Sequence, residues 1–98
     1  MSVLHIVMFR WKSSSSIEDR QELMLQMRDL PAQISSVREY VLQENVGTTA
    51  DNYDFVVRAT FDDIGGYLDY KDHPAHREII QKYGPSTIDG RAALQVDS

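Results

Sequence analysis

Nine residues near the N-terminus, Val3 to Trp11, place the strongest constraint on the fold. In an extended chain Val3, Val7, Phe9 and Trp11 share one face with His5, and Leu4, Ile6 and Met8 occupy the other. Both faces are apolar until Arg10, the pattern of a strand buried on both sides. The whole chain has 98 residues, enough for one compact domain, 1–98, and no more. One face of such a strand can pack on helices of its own chain. The other needs a second cover that a single small sheet does not supply. The sequence therefore predicts a homodimer joined through its sheet faces.

The remaining elements follow from periodicity and capping. Ser15 with Glu18, or Ser16 with Asp19, has capping-box spacing ahead of a helix. Leu23, Met27, Leu30 and Ile34 then form one apolar stripe, and Pro31 ends or kinks the helix near Leu30, with a further turn beyond. Val37 to Val46 reads as a strand with mixed faces. Tyr53 to Phe61 is a second strand, in which Tyr53, Phe55, Val57, Ala59 and Phe61 alternate with Asp54, Val56, Arg58 and Thr60. Gly47 to Asn52 is their turn-forming link. Asp62 or Asp63 caps a short helix over Ile64 to Asp72. Its Gly65 and Gly66 each cost about 1 kcal/mol against alanine, which fits either a loosely held cover over a pocket or a close approach of backbones. Pro74 to Tyr83 is a further helix, with Gly84-Pro85 as its stop. A loop through Gly90 leads to a last strand, Arg91 to Val96. The order β-α-β-β-α-β, with the second helical region split, predicts an α+β, ferredoxin-like fold: helices on one face of a four-stranded antiparallel sheet, the other face bare. Two such faces would close into a dimeric α/β barrel.

Chemistry concentrates in Tyr70 and His73-Pro74-Ala75-His76. Proline is favoured at a first helical position, so His73 becomes the N-cap and His76 falls in the first turn. There the positive end of the helix dipole disfavours imidazolium, leaving His76 neutral and able to accept a proton. Asp69, His73 and His76 would share a face on a continuous helix, but Pro74 interrupts it, so no metal is predicted. The chain lacks cysteine, a phosphate-binding glycine loop, a dinucleotide fingerprint and a serine elbow, and no cofactor is expected. Its net charge of -5, with no Lys/Arg cluster in the sequence, excludes nucleic acid and anionic membranes as partners. The apolar run at Val3 is too short for a leader or a membrane span and follows no basic segment, so the expected location is the cytoplasm.

The chain resembles the stress-responsive dimeric α/β barrel (Dabb) family. The resemblance is carried by Val3-Leu4-His5-Ile6-Val7-Met8-Phe9-Arg10-Trp11-Lys12, by Leu30, Ile34 and Val37, by Tyr53-Asp54-Phe55-Val56, and above all by Asp69-Tyr70-Lys71-Asp72-His73-Pro74-Ala75-His76. It implies a ferredoxin-like subunit and a homodimer. Through the related plant polyketide (olivetolic acid) cyclases it also implies a general base at the position of His76, an assisting tyrosine at Tyr70 and His5 close by. Met27 stands where those enzymes have a tyrosine, so the shape of the pocket differs.

On these grounds His76 and Tyr70 are the candidate catalytic residues, and His5, Val7, Phe9 and Met27 line the substrate site. His76 would remove a proton α to a carbonyl of a small apolar or aromatic carbonyl compound, in a cyclase, lyase or isomerase. Tyr70 would hydrogen-bond the oxygen that gains charge, or orient His76. The alternative is a non-catalytic stress-response or ligand-binding dimer. In that reading a hydrogen bond between Tyr70 and His76 pins helix to sheet, and His5 is a satisfied core residue.

Overall fold

We describe residues 1–47 and 49–98 of a computed structural model of the chain. Its elements are β1 (Val3–Trp11), α1 (Ile17–Arg28), α2 (Leu30–Gln33), β2 (Val37–Glu44), β3 (Phe55–Phe61), α3 (Ile64–Asp72), α4 (Pro74–Thr87) and β4 (Ile88–Asp97). The four strands form one antiparallel sheet in the order β2-β3-β1-β4, and the helices cover one of its faces. The expected ferredoxin-like α+β fold is present. Part of the expected Gly47–Asn52 link, Thr48, lies outside the described residues.

The two faces of β1 divide as the alternation predicts. Val3, His5, Val7 and Phe9 are buried beneath the helices, while Leu4 and Ile6 are half-buried and Met8 is exposed on the opposite face. Leu23, Met27, Leu30 and Ile34 are all buried, so the stripe read across α1 and α2 is the seam against the sheet. Ser16 caps α1 by accepting from the Asp19 N–H, and the chain breaks at Asp29 before the proline-bearing turn of α2. Asp63 caps α3 through the Gly66 N–H. Gly66 marks a close approach: a Cβ there would stand 3.3 Å from Phe61 Cβ and 3.6 Å from Ser36 Cβ. The Ser36 hydroxyl also donates to its carbonyl. At Gly66 the glycine serves packing.

Strand β2 ends at Glu44 and β3 begins at Phe55, each two residues inside the expected bounds, and three further features differ from the sequence reading. The pairing of β2 with β3 skips Arg38, so Val37, Tyr40 and Leu42 reach the core side despite their broken alternation. This irregularity explains the mixed faces, and it turns Arg38 outward to pair with Asp62 at 2.8 Å. Helix α4 does not stop at Gly84-Pro85 but runs on to Thr87. The residue before a proline resists helical geometry because its Cβ meets the proline ring; Gly84 has no Cβ to collide. The last turn is then held by the Thr87 hydroxyl on the Tyr83 carbonyl and by the Lys12 N–H on the Thr87 carbonyl. No loop follows: β4 begins at Ile88, and its pairing with β1 is irregular between Arg10 and Trp11.

Candidate functional site

A cavity of about 800 Å³ opens between the sheet and the helices, lined mostly by apolar side chains. Its floor is the helix-facing side of β1, namely His5, Val7 and Phe9, with Ile88 and Arg91 of β4 beside it. Met27 of α1, Tyr67 and Tyr70 of α3, and His76 and Ile80 of α4 form the walls. All six side chains singled out in the sequence, His5, Val7, Phe9, Met27, Tyr70 and His76, thus line a single hollow. The register explains the meeting. Alternate residues of β1 face the helices, and the sharp turn at His73 (φ -62°, ψ 136°) folds α4 back beside α3, carrying His76 to the ring of Tyr70.

His73 is the N-cap of α4, its Nδ1 accepting from the Ala75 N–H at 3.1 Å. The break at His73 puts Asp69 and His76 on separate helices. Among the described residues no group of three His, Asp or Glu side chains is placed to hold a metal ion.

His76 is half-buried, and its Nδ1 lies 3.1 Å from the Lys71 carbonyl oxygen. A carbonyl has no proton to give, so Nδ1 holds the proton and donates. The lone pair of the neutral ring is then on Nε2. Burial lowers the His76 pKa below the usual histidine value, and the charges of Arg91 and His73 push the same way, against the bond to Lys71. Desolvation is therefore the main source of the neutrality that the sequence reading assigned to the helix dipole.

Tyr70 is one of the most deeply buried side chains, at 2% exposure, and its ring centroid is 4.6 Å from that of His76. The two residues meet through their rings. The Tyr70 hydroxyl instead shares a hydrogen bond of 3.4 Å with the Tyr40 hydroxyl of β2. The expected Tyr70–His76 hydrogen bond is replaced by this contact, because α3 aims the phenol toward β2. Burial is the main reason the Tyr70 pKa is pushed up to about 12, and burial likewise lifts Tyr40 above the ordinary tyrosine value. Both phenols stay protonated at neutral pH, so Tyr70 has a proton to donate.

His5 is 3% exposed and lies against Tyr67, with ring centroids 4.8 Å apart. Its Nδ1 accepts from Gln95 Nε2 at 2.9 Å, which puts the proton of the neutral ring on Nε2. Burial first, then the charges of Arg91 and His76, lowers its pKa to about 4. The cavity thus holds two neutral histidines of opposite tautomer, one with a free acceptor nitrogen and one with a free donor.

Sequence reasoning missed Tyr40, Tyr67 and Arg91. Tyr67 was accessible, since it lies three residues before Tyr70 and shares its helix face. Arg91 follows from pairing with Phe9, which puts both on the helix side. Tyr40 was hidden by the skipped residue in β2.

The stress-responsive A/B barrel domain model matches residues 3–97. The chain belongs to that family. A dimeric ferredoxin-like protein of unknown function from Thermobifida fusca YX shares 32% identity over 100% of this chain and 92% of its own, with a TM-score of 0.87. A Dabb family protein from Mesorhizobium loti MAFF303099 superposes at a TM-score of 0.83 and 18% identity, covering 99% of this chain and 96% of its own. Hydroxynitrile lyase from Passiflora edulis does so at 0.85 and 21% identity, over 97% and 91%. At such identities these last two share the Dabb fold with this chain and carry nothing further. The sequence has no significant match among curated proteins. Among the described residues of this Dabb domain no helix is long and apolar enough to cross a membrane.

Proposed function

We propose that this Dabb domain is a homodimer whose cavity binds a small apolar or aromatic carbonyl compound, and that His76 removes the proton α to that carbonyl. The observation that carries the reading is the His76 tautomer. Nδ1 is committed to the Lys71 carbonyl, so Nε2 is the basic atom of a neutral ring that lines a largely apolar hollow. In the step, Nε2 takes the proton, the C–H electron pair becomes an enolate, and charge moves to the carbonyl oxygen. Tyr70 or His5 Nε2 is the source of a hydrogen bond to that oxygen. The enolate then attacks a second carbonyl, as in a cyclase, or is reprotonated, as in an isomerase. A lyase would use the same base on a hydroxyl. Imidazole and phenol suffice for each, so no cofactor is invoked.

The dimer is supported by the open sheet face. Leu94 is 52% exposed there, Val41 and Val96 are each 37% exposed, and Met8 joins them, a cluster that a twin subunit would cover. The Thermobifida fusca relative is itself dimeric. We also propose a cytoplasmic location, as the sequence reading expected. The Tyr40–Tyr70 hydrogen bond favours the second reading, a ligand-binding dimer without catalysis, since it gives the Tyr70 hydroxyl a structural partner.

The test is exchange of the α-protons of 4-phenylbutan-2-one in deuterated buffer, followed by proton NMR. His76→Ala is expected to slow catalysed exchange by about 100-fold or more, with the dimer and its melting temperature nearly unchanged. Equal exchange by wild type and variant would refute the base. A rise in melting temperature with the ketone but no exchange would establish the binding reading instead.

A further inference from the structure

The mouth of the cavity carries charge of the opposite sign to the chain. Lys71, Arg77 and Arg91 line it, against one acid, Asp72. Three of the chain's 10 cations and one of its 15 acids therefore meet at one opening of a protein whose net charge is -5. Four of the other seven cations have work elsewhere: Arg38 is paired with Asp62, Arg58 donates to Gln43, Arg20 donates to Ser15 and to the Lys12 carbonyl, and Arg10 donates to the Asp51 carbonyl. Among the described residues the only ion pair is Arg38–Asp62, so none of the three cations lining the cavity is paired with a carboxylate.

We propose that the ligand of this cavity is an anion: a carbonyl compound bearing a carboxylate, which Arg91, with Arg77 and Lys71, holds at the mouth while the carbonyl lies against Tyr70 and His76. The inference rests on the carbonyl-binding reading above and names its substrate class. Arg91 is the anchor because its pairing with Phe9 sets it on the helix side of the sheet. Its charge already bears on His5, Tyr70 and His76. The planar guanidinium fork matches a carboxylate in two parallel hydrogen bonds. A lone exposed ion pair contributes little, but like charges converging on a concave, apolar wall focus potential and raise the local concentration of an anion. The hydrocarbon body of the ligand would rest on Val7, Phe9, Met27 and Ile88. A cation close to the carbonyl also favours the enolate, whose charge develops there.

Calorimetric titration of the full chain with 4-oxo-4-phenylbutanoate and with its methyl ester isolates the charge, because the two probes share ring and ketone. The acid is expected to bind about tenfold more tightly at low ionic strength, with the advantage shrinking as salt is raised. Arg91→Gln, at an exposed position, should bring the two probes to within about threefold of each other. Arg77→Gln should narrow the gap less, and the double variant, which keeps Lys71, should narrow it further than either. His76→Ala should leave the preference intact. Equal or tighter binding of the ester, a preference untouched by the double variant, or no binding of either probe would each overturn the proposal. Preference for the acid without α-proton exchange would keep this inference and remove the base; exchange with preference for the ester would do the reverse.

Discussion

Acid should destabilise this fold through His5, and the structure sets the size of the effect. The side chain is 3% exposed, and its pKa is lowered from 6.5 to about 4. In the unfolded chain the imidazole takes up its proton as pH falls through about 6.5; in the native state it resists until about 4. Between those values the unfolded state binds more protons, so stability falls with falling pH. The contribution is fully present above pH 6.5 and is lost by about pH 4. A gap of about 2.5 pH units at roughly 1.4 kcal/mol each gives a loss of about 3 kcal/mol. That is a large part of the roughly 5–15 kcal/mol expected of a domain this size. Carboxylates titrate in the same range, so the measurement is a difference. Urea denaturation of wild type and His5→Gln, followed by circular dichroism from pH 7.5 to 4, isolates the histidine, because glutamine can still reach Gln95. The wild-type curve should fall toward the variant curve by about 3 kcal/mol. Parallel curves would refute the reasoning, as would a His5 ring that titrates near 6.5 by NMR.

His76 should also titrate below 6.5 by NMR, and exchange activity should rise with a midpoint below that value; a midpoint at or above 6.5 would contradict burial as the cause. Tyr70→Phe leaves the ring in place and removes a hydroxyl whose one partner is Tyr40, at the long distance of 3.4 Å. It should cost about 1 kcal/mol in urea denaturation, and roughly 100-fold in exchange if the hydroxyl stabilises the enolate oxygen. Leu94→Asp places a charge on the open sheet face and should yield monomers in sedimentation velocity; a dimer that persists would mean that this face is not the interface. Gly66→Ala should lower stability in urea denaturation, because its Cβ would stand 3.3 Å from Phe61 Cβ and 3.6 Å from Ser36 Cβ, whereas Gly65→Ala, whose Cβ would meet only the movable capping oxygen of Asp63 at 3.2 Å, should lower it less; a larger loss at Gly65 would show that the backbones at Gly66 are not tightly packed.

Much of the fold was legible because the signals were local. Ser16, Asp63 and His73 cap the helices that follow them, since capping needs only a side chain and an N–H two or three residues on. Leu23, Met27, Leu30 and Ile34 read as a stripe and pack as one. The errors fall where two segments had to be seen together. Gly84-Pro85 looks like a stop when read alone, yet the helix passes through it and is tied off by Tyr83 and Lys12. The mixed faces of β2 have meaning only against β3, where one skipped residue returns Tyr40 to the core side and within reach of Tyr70.

Alternation alone put His5, Val7 and Phe9 on one face of β1, the proline cap put His76 in the first turn of its helix, and the family resemblance joined Tyr70 and Met27 to them. What each nitrogen and hydroxyl does was decided by tertiary contact. The proton sits on Nδ1 of His76 because the Lys71 carbonyl faces it, and on Nε2 of His5 because Gln95 donates to the other nitrogen. The three cations, dispersed in the chain, meet only when β4 lies beside β1 and α4 folds back against α3. Periodicity reports which face of an element is buried. Protonation, tautomer and local charge depend on neighbours far away in sequence, and only the packed structure brings those neighbours within a few ångströms.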